Sequence, residues 1–437
     1  MREIKLSADE LISVLLNLED TRNVCILDSC GVNYLNSHLL IAGFDPLEIL
    51  QITDKNPTET FKTLDKKLSL ENSACIFTIS YDFGLKLENI KPREKEFETF
   101  PEPDVFLAVF DCLIIHDYNT RKTFLTGNQN RFDEIEELLS NQTTNLNVDL
   151  MEHSKIYSNF TRENYIETIT KIKEHIIRGD TYQTNLTQQF RAELPESLTP
   201  QKIFRRLRKS HPAPFSAFIK RQEDFVVSIS PERFFKVQGS SISASPIKGT
   251  RPRGETKKGD LQLKNELLNS AKDHAENVMI VDLLRNDIGR ICEFGSVEVE
   301  KLCDLETHPT LFHLVSTIKG ELRENLKFSD IIPAVFPCGS ITGAPKIRTM
   351  KIIDEIETAN RGLSMGAIGY SIQNSKFKIQ NSFDLSVAIR TMVIRQKEAI
   401  FNVGGGIVID SIPEAEYEET LVKAKALMNA MGGKLET

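Results

Sequence analysis

Between Asp224 and Ile247 three strand-like runs follow one another almost without pause: DFVVSIS, ERFFKVQ and, after a Gly239-Ser240 turn, SISASPI. Elsewhere strand-like and helical segments interleave without strict β-α alternation, from VCILD and VFLAVFDCLIIHD near the start to AIFNVGGGIVID near the end. That order favours an α+β fold built on antiparallel sheet over a doubly wound parallel sheet. With 437 residues the chain has room for two or three domains. A connector over about 127–159, rich in Asn, Gln, Glu and Ser and carrying the amphipathic DEIEELL, separates a first segment, 1–150, from a second, 159–430.

Helices are expected at four further places. Thr161 to Arg178 puts Tyr165, Ile169, Ile172 and Ile176 on one face, and Gly179 supplies a C-terminal stop. One long helix is expected over roughly 261–285, a shorter one near 347–356 and a last one over 413–430. SFDLSVAIRTMVIR and AIFNVGGGIVID read as a hairpin-like pair.

The charge balance, 54 Lys+Arg against 62 Asp+Glu, gives −8, and a polyanion-binding protein would carry a basic excess instead. The basic cluster Arg205, Arg206, Arg208 and Lys209 reads as a solvated helix face. Seven scattered cysteines without a Cys-x-x-Cys argue against a disulfide framework or zinc site. No run of eighteen apolar residues occurs, and the first twenty residues are too acidic for a secretory signal. A cytoplasmic setting without nucleic-acid or membrane partners is expected.

Two acidic pairs read either as solvated edges, one of them a Glu-to-Lys i,i+4 pair, or as groups that carry chemistry. In the last helix Ala415, Glu419, Val422 and Ala426 recur with the period of a buried stripe, so Glu419 stands where an apolar residue is expected. Glu416 precedes it and Lys423 follows it by one turn, with Ser411 as N-cap. Asp273 and Glu276 share a face of the long helix just before the apolar VMIVDLL. Two carboxylate pairs leading into buried surface point to a hard divalent cation, of which magnesium is the commonest user of so few carboxylates.

Gly404, Gly405 and Gly406 end a strand, either as a bend or as a place where backbone N–H groups approach a carboxylate. Their spacing is not that of a dinucleotide or P-loop motif. Ser386, Ala388 and Arg390 share a strand face, and Arg390 faces either solvent or, as a guanidinium fork, a carboxylate. In SPIKGTRPRG, Lys248 either solvates a loop or acts on something bound in it.

Taken together these segments resemble the chorismate-utilising enzymes. The carrying motifs are GDTYQTNL, HPAPFSAF, SISPERF, SPIKGTRPRG, AKDHAENVMIVDLLRNDIGR, LFHLVSTIKG, FPCGSITGAPKIRTM, GAIGY, DLSVAIRT and GGGIVIDS with EAEYEETLVKAKA. The resemblance implies two large, orthogonally packed antiparallel sheets flanked by helices, with the active site between the two halves. It implies magnesium held by Glu276 and Glu419 with Asp273 and Glu416 in support. It implies substrate contacts from Gly249, Thr250, Ser340, Tyr370, Arg390, Gly404, Gly405, Gly406 and Lys423. Ser340 stands where threonine is usual.

Within the family, PIKGT resembles the aminodeoxychorismate synthase branch and differs from the PIAGT of anthranilate synthases, the alternative reading. Gln183 replaces the lysine that activates water in isochorismate and salicylate synthases. The implied reaction is an amination of chorismate, with Lys248 as nucleophile, Glu232 as general acid/base and His313 assisting. Arg251 and Arg253 are expected to lower the Lys248 pKa if they point inward. Ammonia would come from a separate glutamine amidotransferase subunit. CILDS resembles part of a tryptophan pocket, formed by Ser29 with Pro214, Phe215 and Ser216.

Overall fold

The computed structural model describes residues 1–436 apart from 19–21, 71, 98, 142–152, 308–310 and 374–381. Among the described residues the fold is α+β, with a thirteen-stranded sheet, a ten-stranded sheet and helices packed around them. Every pairing between strands is antiparallel except that of the short Lys434–Leu435 strand with Lys155–Ser158. Some pairings join successive strands through short turns, as Phe215–Lys220 with Phe225–Ser230, while others bring together strands far apart in the chain.

Both sequence segments build both sheets. The Val24–Asp28 strand pairs with Phe215–Lys220 in the first sheet, and Ser73–Ile79 pairs with Ala367–Gln373 in the second. One apolar layer, including Ile41, Ile76, Phe106, Ala217, Ile368 and Val393, draws on strands of both sheets. Two larger clusters combine strand residues with those of the helices.

The site is positioned by two places where the chain leaves one sheet for the other. Phe225–Ser230 lies in the first sheet and Arg233–Gln238 in the second, so Pro231 and Glu232 form one crossing. Ser382–Val387 lies in the second and Thr391–Arg395 in the first, so Arg390 belongs to the other. The crossings are tied to each other: Val387 N donates to Glu232 O at 3.1 Å, and Ile229 N donates to Arg390 O at 3.1 Å. SFDLSVAIRTMVIR is therefore two strands in different sheets, and only its second, Thr391–Arg395, forms the expected hairpin with Glu398–Ile407. Arg390, with φ +48°, lies outside the strand alternation assumed for it.

The expected long helix is two helices, Lys257–Leu268 and Ala271–Gly289. Ser270 interrupts it, because its hydroxyl accepts the Asp273 amide as an N-cap. The last helix spans Pro413–Ala430 as expected, but a different face is buried: Glu416, Tyr417, Thr420, Ala424, Leu427 and Met428. Val422 is 71% exposed, and the side chain of Glu419 is half exposed. Small and apolar residues recur on both faces of this helix, so periodicity selected the wrong one. Ile412, not Ser411, is its N-cap.

Lys209 of the basic cluster is exposed, but its three arginines are not a solvated face. Arg205 reaches Asn17, Arg206 the Ala430 carbonyl, and Arg208 the buried Asp28 carboxylate at 2.7 Å. No described helix is long and apolar enough to cross a membrane, and the seven cysteines are free.

Candidate active site

The Ile247–Pro252 strand and the Ala271–Gly289 helix face each other through two ion pairs. Lys248 Nζ lies 2.9 Å from Glu276 Oε1, and Arg251 Nη2 lies 3.3 Å from Asp273 Oδ2. Helical spacing puts both acids on one face. A bulge at Gly249 (φ +80°) sets the strand's side of this ladder. A Cβ there would fall 2.9 Å from Leu267 and 3.0 Å from Asp273, so a side chain would push strand and helix apart.

The bulge sets Lys248 opposite Leu314 and Thr250 opposite His313, neighbours on the partner strand whose side chains alternate between faces. Thr250 Oγ1 and His313 Nδ1 accordingly form a separate pair at 2.8 Å. The structure thus groups His313 with Thr250 and Lys248 with Glu276. His308, the other histidine near these motifs, lies outside the described residues.

Lys248 also approaches the Ser340 carbonyl at 3.5 Å, and Ser340 Oγ donates to Glu232 Oε1 at 2.8 Å. A primary amine and a carboxyl group therefore flank one short turn, Gly339–Ile341. Burial pushes the Glu232 pKa up, and the opposing influence of Lys248, the Ser340 hydroxyl and Lys423 only partly offsets it. The buried carboxyl is biased toward the protonated form a general acid needs.

Burial also works against the charge on Lys248, yet Glu276, Glu232 and Cys338 together outweigh it and the pKa is raised. Arg251 and Arg253 do not lower it: Arg251 turns to Glu266 and Asp273, and Arg253 to Asp260. For Glu276, burial again disfavours charge, but Lys248, Lys272 and Lys423 together hold its pKa below the usual value.

The glycine run forms the end of the Glu398–Ile407 strand, as expected. Its glycines pair with Leu186, Thr187 and Asn185, and space around them is used on several sides. A Cβ on Gly406 would lie 2.1 Å from Gln183 Nε2 and 2.9 Å from Glu276 Oε1. A Cβ on Gly405 would lie 3.4 Å from Glu416 Oε2 and 3.9 Å from Glu419 Oε1. Carboxylates from two helices thus converge on adjacent glycines. Lys423 joins them, 2.6 Å from Glu419 and donating to the Gly404 carbonyl at 3.0 Å.

These acids suit a hard cation by donor chemistry, since all are carboxylates and three of them, Glu276, Glu416 and Glu419, lie against adjacent glycines. Among the described residues no three of them close into a metal cage. Glu416 is the buried acid of its pair, held by Ser411 Oγ at 2.7 Å and near Lys272 at 3.4 Å.

Arg390 has no carboxylate partner among the described residues, and burial alone depresses its pKa. An isolated, largely buried guanidinium is costly unless a ligand anion meets it. Tyr370 is placed elsewhere. It lines a cavity of about 100 Å³ together with Ser29, Pro214, Phe215 and Ser216. Strand pairing explains that gathering, since Asp28 lies opposite Ser216 and Tyr370 opposite Asp384, another lining residue.

Sequence reasoning missed a buried pair beside the site, Arg361 with Glu357 at 2.7 Å. The i,i+4 spacing was the available signal, but it falls where the Lys346–Ile356 helix has already ended.

Comparison with known proteins gives this geometry a context. Residues 25–429 match the family model described as chorismate binding enzyme. The chain is 38% identical over 388 residues to aminodeoxychorismate synthase component 1 of Escherichia coli, covering 89% of this chain and 83% of that protein. It is also 38% identical over 352 residues to anthranilate synthase component 1 of Aquifex aeolicus, covering 76% and 70%. The crystal structure of anthranilate synthase component I from Streptococcus pneumoniae superposes with a TM-score of 0.78 at 27% identity, covering 90% of this chain and 93% of that one.

Proposed function

This chain belongs to the chorismate-binding enzyme family, and from that premise we propose that it is the aminating component of an aminodeoxychorismate synthase. It converts chorismate and ammonia to 4-amino-4-deoxychorismate and water, leaving the enolpyruvyl side chain intact. The observation that carries the reading is the turn at Ser340, with Lys248 3.5 Å from its carbonyl and Glu232 2.8 Å from its hydroxyl.

In this reading the Lys248 amine attacks the ring carbon next to the carboxylate-bearing carbon. The ring hydroxyl departs as water with the proton of Glu232. Ammonia then bonds to the former hydroxyl carbon, Lys248 leaves as a neutral amine, and the surplus ammonia proton returns to Glu232. Lys248 becomes nucleophilic only when Glu276 is engaged by another cation, because their contact favours the ammonium form. Glu276 and Glu419, backed by Asp273 and Glu416, would hold magnesium, which supplies Lewis-acid stabilisation of the ring carboxylate. Arg390 and the backbone of Gly404, Gly405 and Gly406 receive substrate carboxylates.

Ammonia is assigned to a separate glutamine amidotransferase subunit, a reading supported by the component 1 designation of the relatives. The setting is read as cytoplasmic. The cavity at Ser29 and Pro214 is assigned as a candidate tryptophan pocket. Anthranilate synthase is the second reading, favoured by the equal identity to the Aquifex relative.

One experiment separates the two. The chain is incubated with chorismate, magnesium and ammonium, then with an aminodeoxychorismate lyase. 4-Aminobenzoate formed only after the lyase supports the proposal. Anthranilate with stoichiometric pyruvate before the lyase is added would sink it. Lys248→Ala adds a second check, since amination at the parent rate in that variant removes the nucleophile from the scheme.

A further inference from the structure

Beyond the groups that meet substrate, one buried ion pair holds two walls of the site together. Arg361 is 3% exposed and Glu357 5%. The Arg361 guanidinium binds Glu357 through Nε at 2.8 Å and Nη2 at 2.7 Å. Its remaining reach is divided between two carbonyls: Nη1 donates to Ile341 O at 3.0 Å, and Nη2 to Asn185 O at 2.7 Å. Glu357 Oε1 accepts in turn from Thr187 N at 2.7 Å and Thr187 Oγ1 at 3.0 Å. The ring of Tyr81 lies 4.5 Å from the guanidinium carbon, covering it from solvent.

Each of these attachments leads to the chemistry. Ile341 ends the Gly339–Ile341 turn whose Ser340 contacts both Glu232 and Lys248. Asn185 lies opposite Gly406, two residues beyond Gln183, whose side chain donates to Glu276 at 3.1 Å. A lysine could supply the charge at position 361 but not a planar fork with directed donors for a carboxylate and two carbonyls.

We propose that Arg361, oriented by Glu357, is a positioning residue that clamps the Ser340 turn to the Gln183–Glu193 strand and so fixes the spacing between Glu232 and Lys248. It touches neither substrate nor metal. A buried pair of this kind is weak evidence of stabilisation by itself, but it specifies one arrangement of the groups it joins. The proposal rests on the reading of Lys248 and Glu232 as reacting groups.

The test compares the full chain with Arg361→Lys and Glu357→Gln, each shown to be folded by circular dichroism and melting. Chorismate consumption is followed whatever the product. The clamp predicts a kcat reduced about 100-fold in Arg361→Lys, as misplacement of about 1 Å can cause. KM should change by less than about 3-fold, because no substrate contact is lost. The pH limb attributed to Glu232 should also move, among the charges that face it from Lys248 and Lys423 and beside Cys338 and Tyr34. Glu357→Gln keeps the donors of Arg361 and should move the same quantities by less.

A loss confined to KM, or a pH profile and kcat that superimpose on those of the parent, overturns the proposal. Amide hydrogen exchange gives a readout independent of activity, and protection across 339–342 should fall in both variants. Unchanged protection there overturns the clamp whatever the activity. A parent chain that does not consume chorismate overturns the functional reading instead.

Discussion

Ser340 donates its hydroxyl to Oε1 of Glu232 across 2.8 Å, inside a turn from which water is largely excluded. Burial raises the Glu232 pKa, and this hydrogen bond is among the influences that restrain the rise. Removing it in Ser340→Ala should therefore raise the pKa further. If Glu232 acts as an acid, activity falls as pH rises through that pKa, so the falling limb should move to higher pH. A rate loss of about 10-fold should accompany it, from a lost hydrogen bond to a charged group. Ser340→Thr should restore both. Rate profiles over pH for the three proteins check this.

Arg390 offers a different trade. Its guanidinium is buried without a described carboxylate partner, so the free protein carries an uncompensated charge. Arg390→Met should raise the melting temperature of the free chain. KM for chorismate should rise by about 10-fold to 100-fold, the equivalent of one charged hydrogen-bonding contact. Melting curves and saturation kinetics are the paired measurements, and a lower melting temperature would contradict the account.

The three glycines of the run should respond in a defined order. A Cβ on Gly404 would lie 2.0 Å from the Leu186 carbonyl oxygen, a backbone atom that cannot yield, so Gly404→Ala should fold poorly. The nearest atom to a Cβ on Gly405 is 3.4 Å away, and Gly405→Ala should melt close to the parent. Gly406→Ala meets chiefly the movable end of Gln183, with Glu276 just beyond. It should stay folded and lose chorismate turnover. Melting and turnover of the three variants test the ranking.

A pH effect on stability is expected next to the Arg361–Glu357 pair. Burial raises Asp82 to about 6 and Glu102 to about 7, where they accept the amides of Gly362 and Leu363. Both folded values lie above the ordinary carboxylate range, so the neutral forms are favoured in the folded state. Their contribution to stability is complete below about pH 4 and is lost as pH rises through 6 to 7. The melting temperature should decline over that window. Asp82→Asn and Glu102→Gln should each flatten the decline.

What could be read from the sequence depended on range. The last helix and the one after Thr161 were legible because caps, breakers and periodicity act within a few residues. The interruption at Ser270 was equally local, but it lay inside a stretch read as one helix over roughly 261–285. Glu419 was assigned to a buried stripe because small residues recur on both faces of its helix; only the packing beneath Glu416 and Tyr417 decides between them. Arg251 and Arg253 could not be oriented without the two helices that carry their partners, Asp260 and Glu266 on the first and Asp273 on the second. Tyr370 was implied by the family resemblance and Arg390 was read from a strand, yet the surroundings of both depend on pairings with residues far away in the chain. Arg361 stayed hidden because its partners, Asn185 and Ile341, are distant in sequence.

The two crossings also bear on how such a molecule tolerates change. Glu232 and Arg390 lie in the joints between sheets, so neither has to satisfy the in-and-out rhythm of a strand. Their side chains can be exchanged with little disturbance to the ladders on either side. An insertion or deletion of one residue at a joint would be far more damaging, because it would rotate every later side chain of the next strand by half a turn. Reactivity at these joints is open to point substitution, while their length is under strict architectural control.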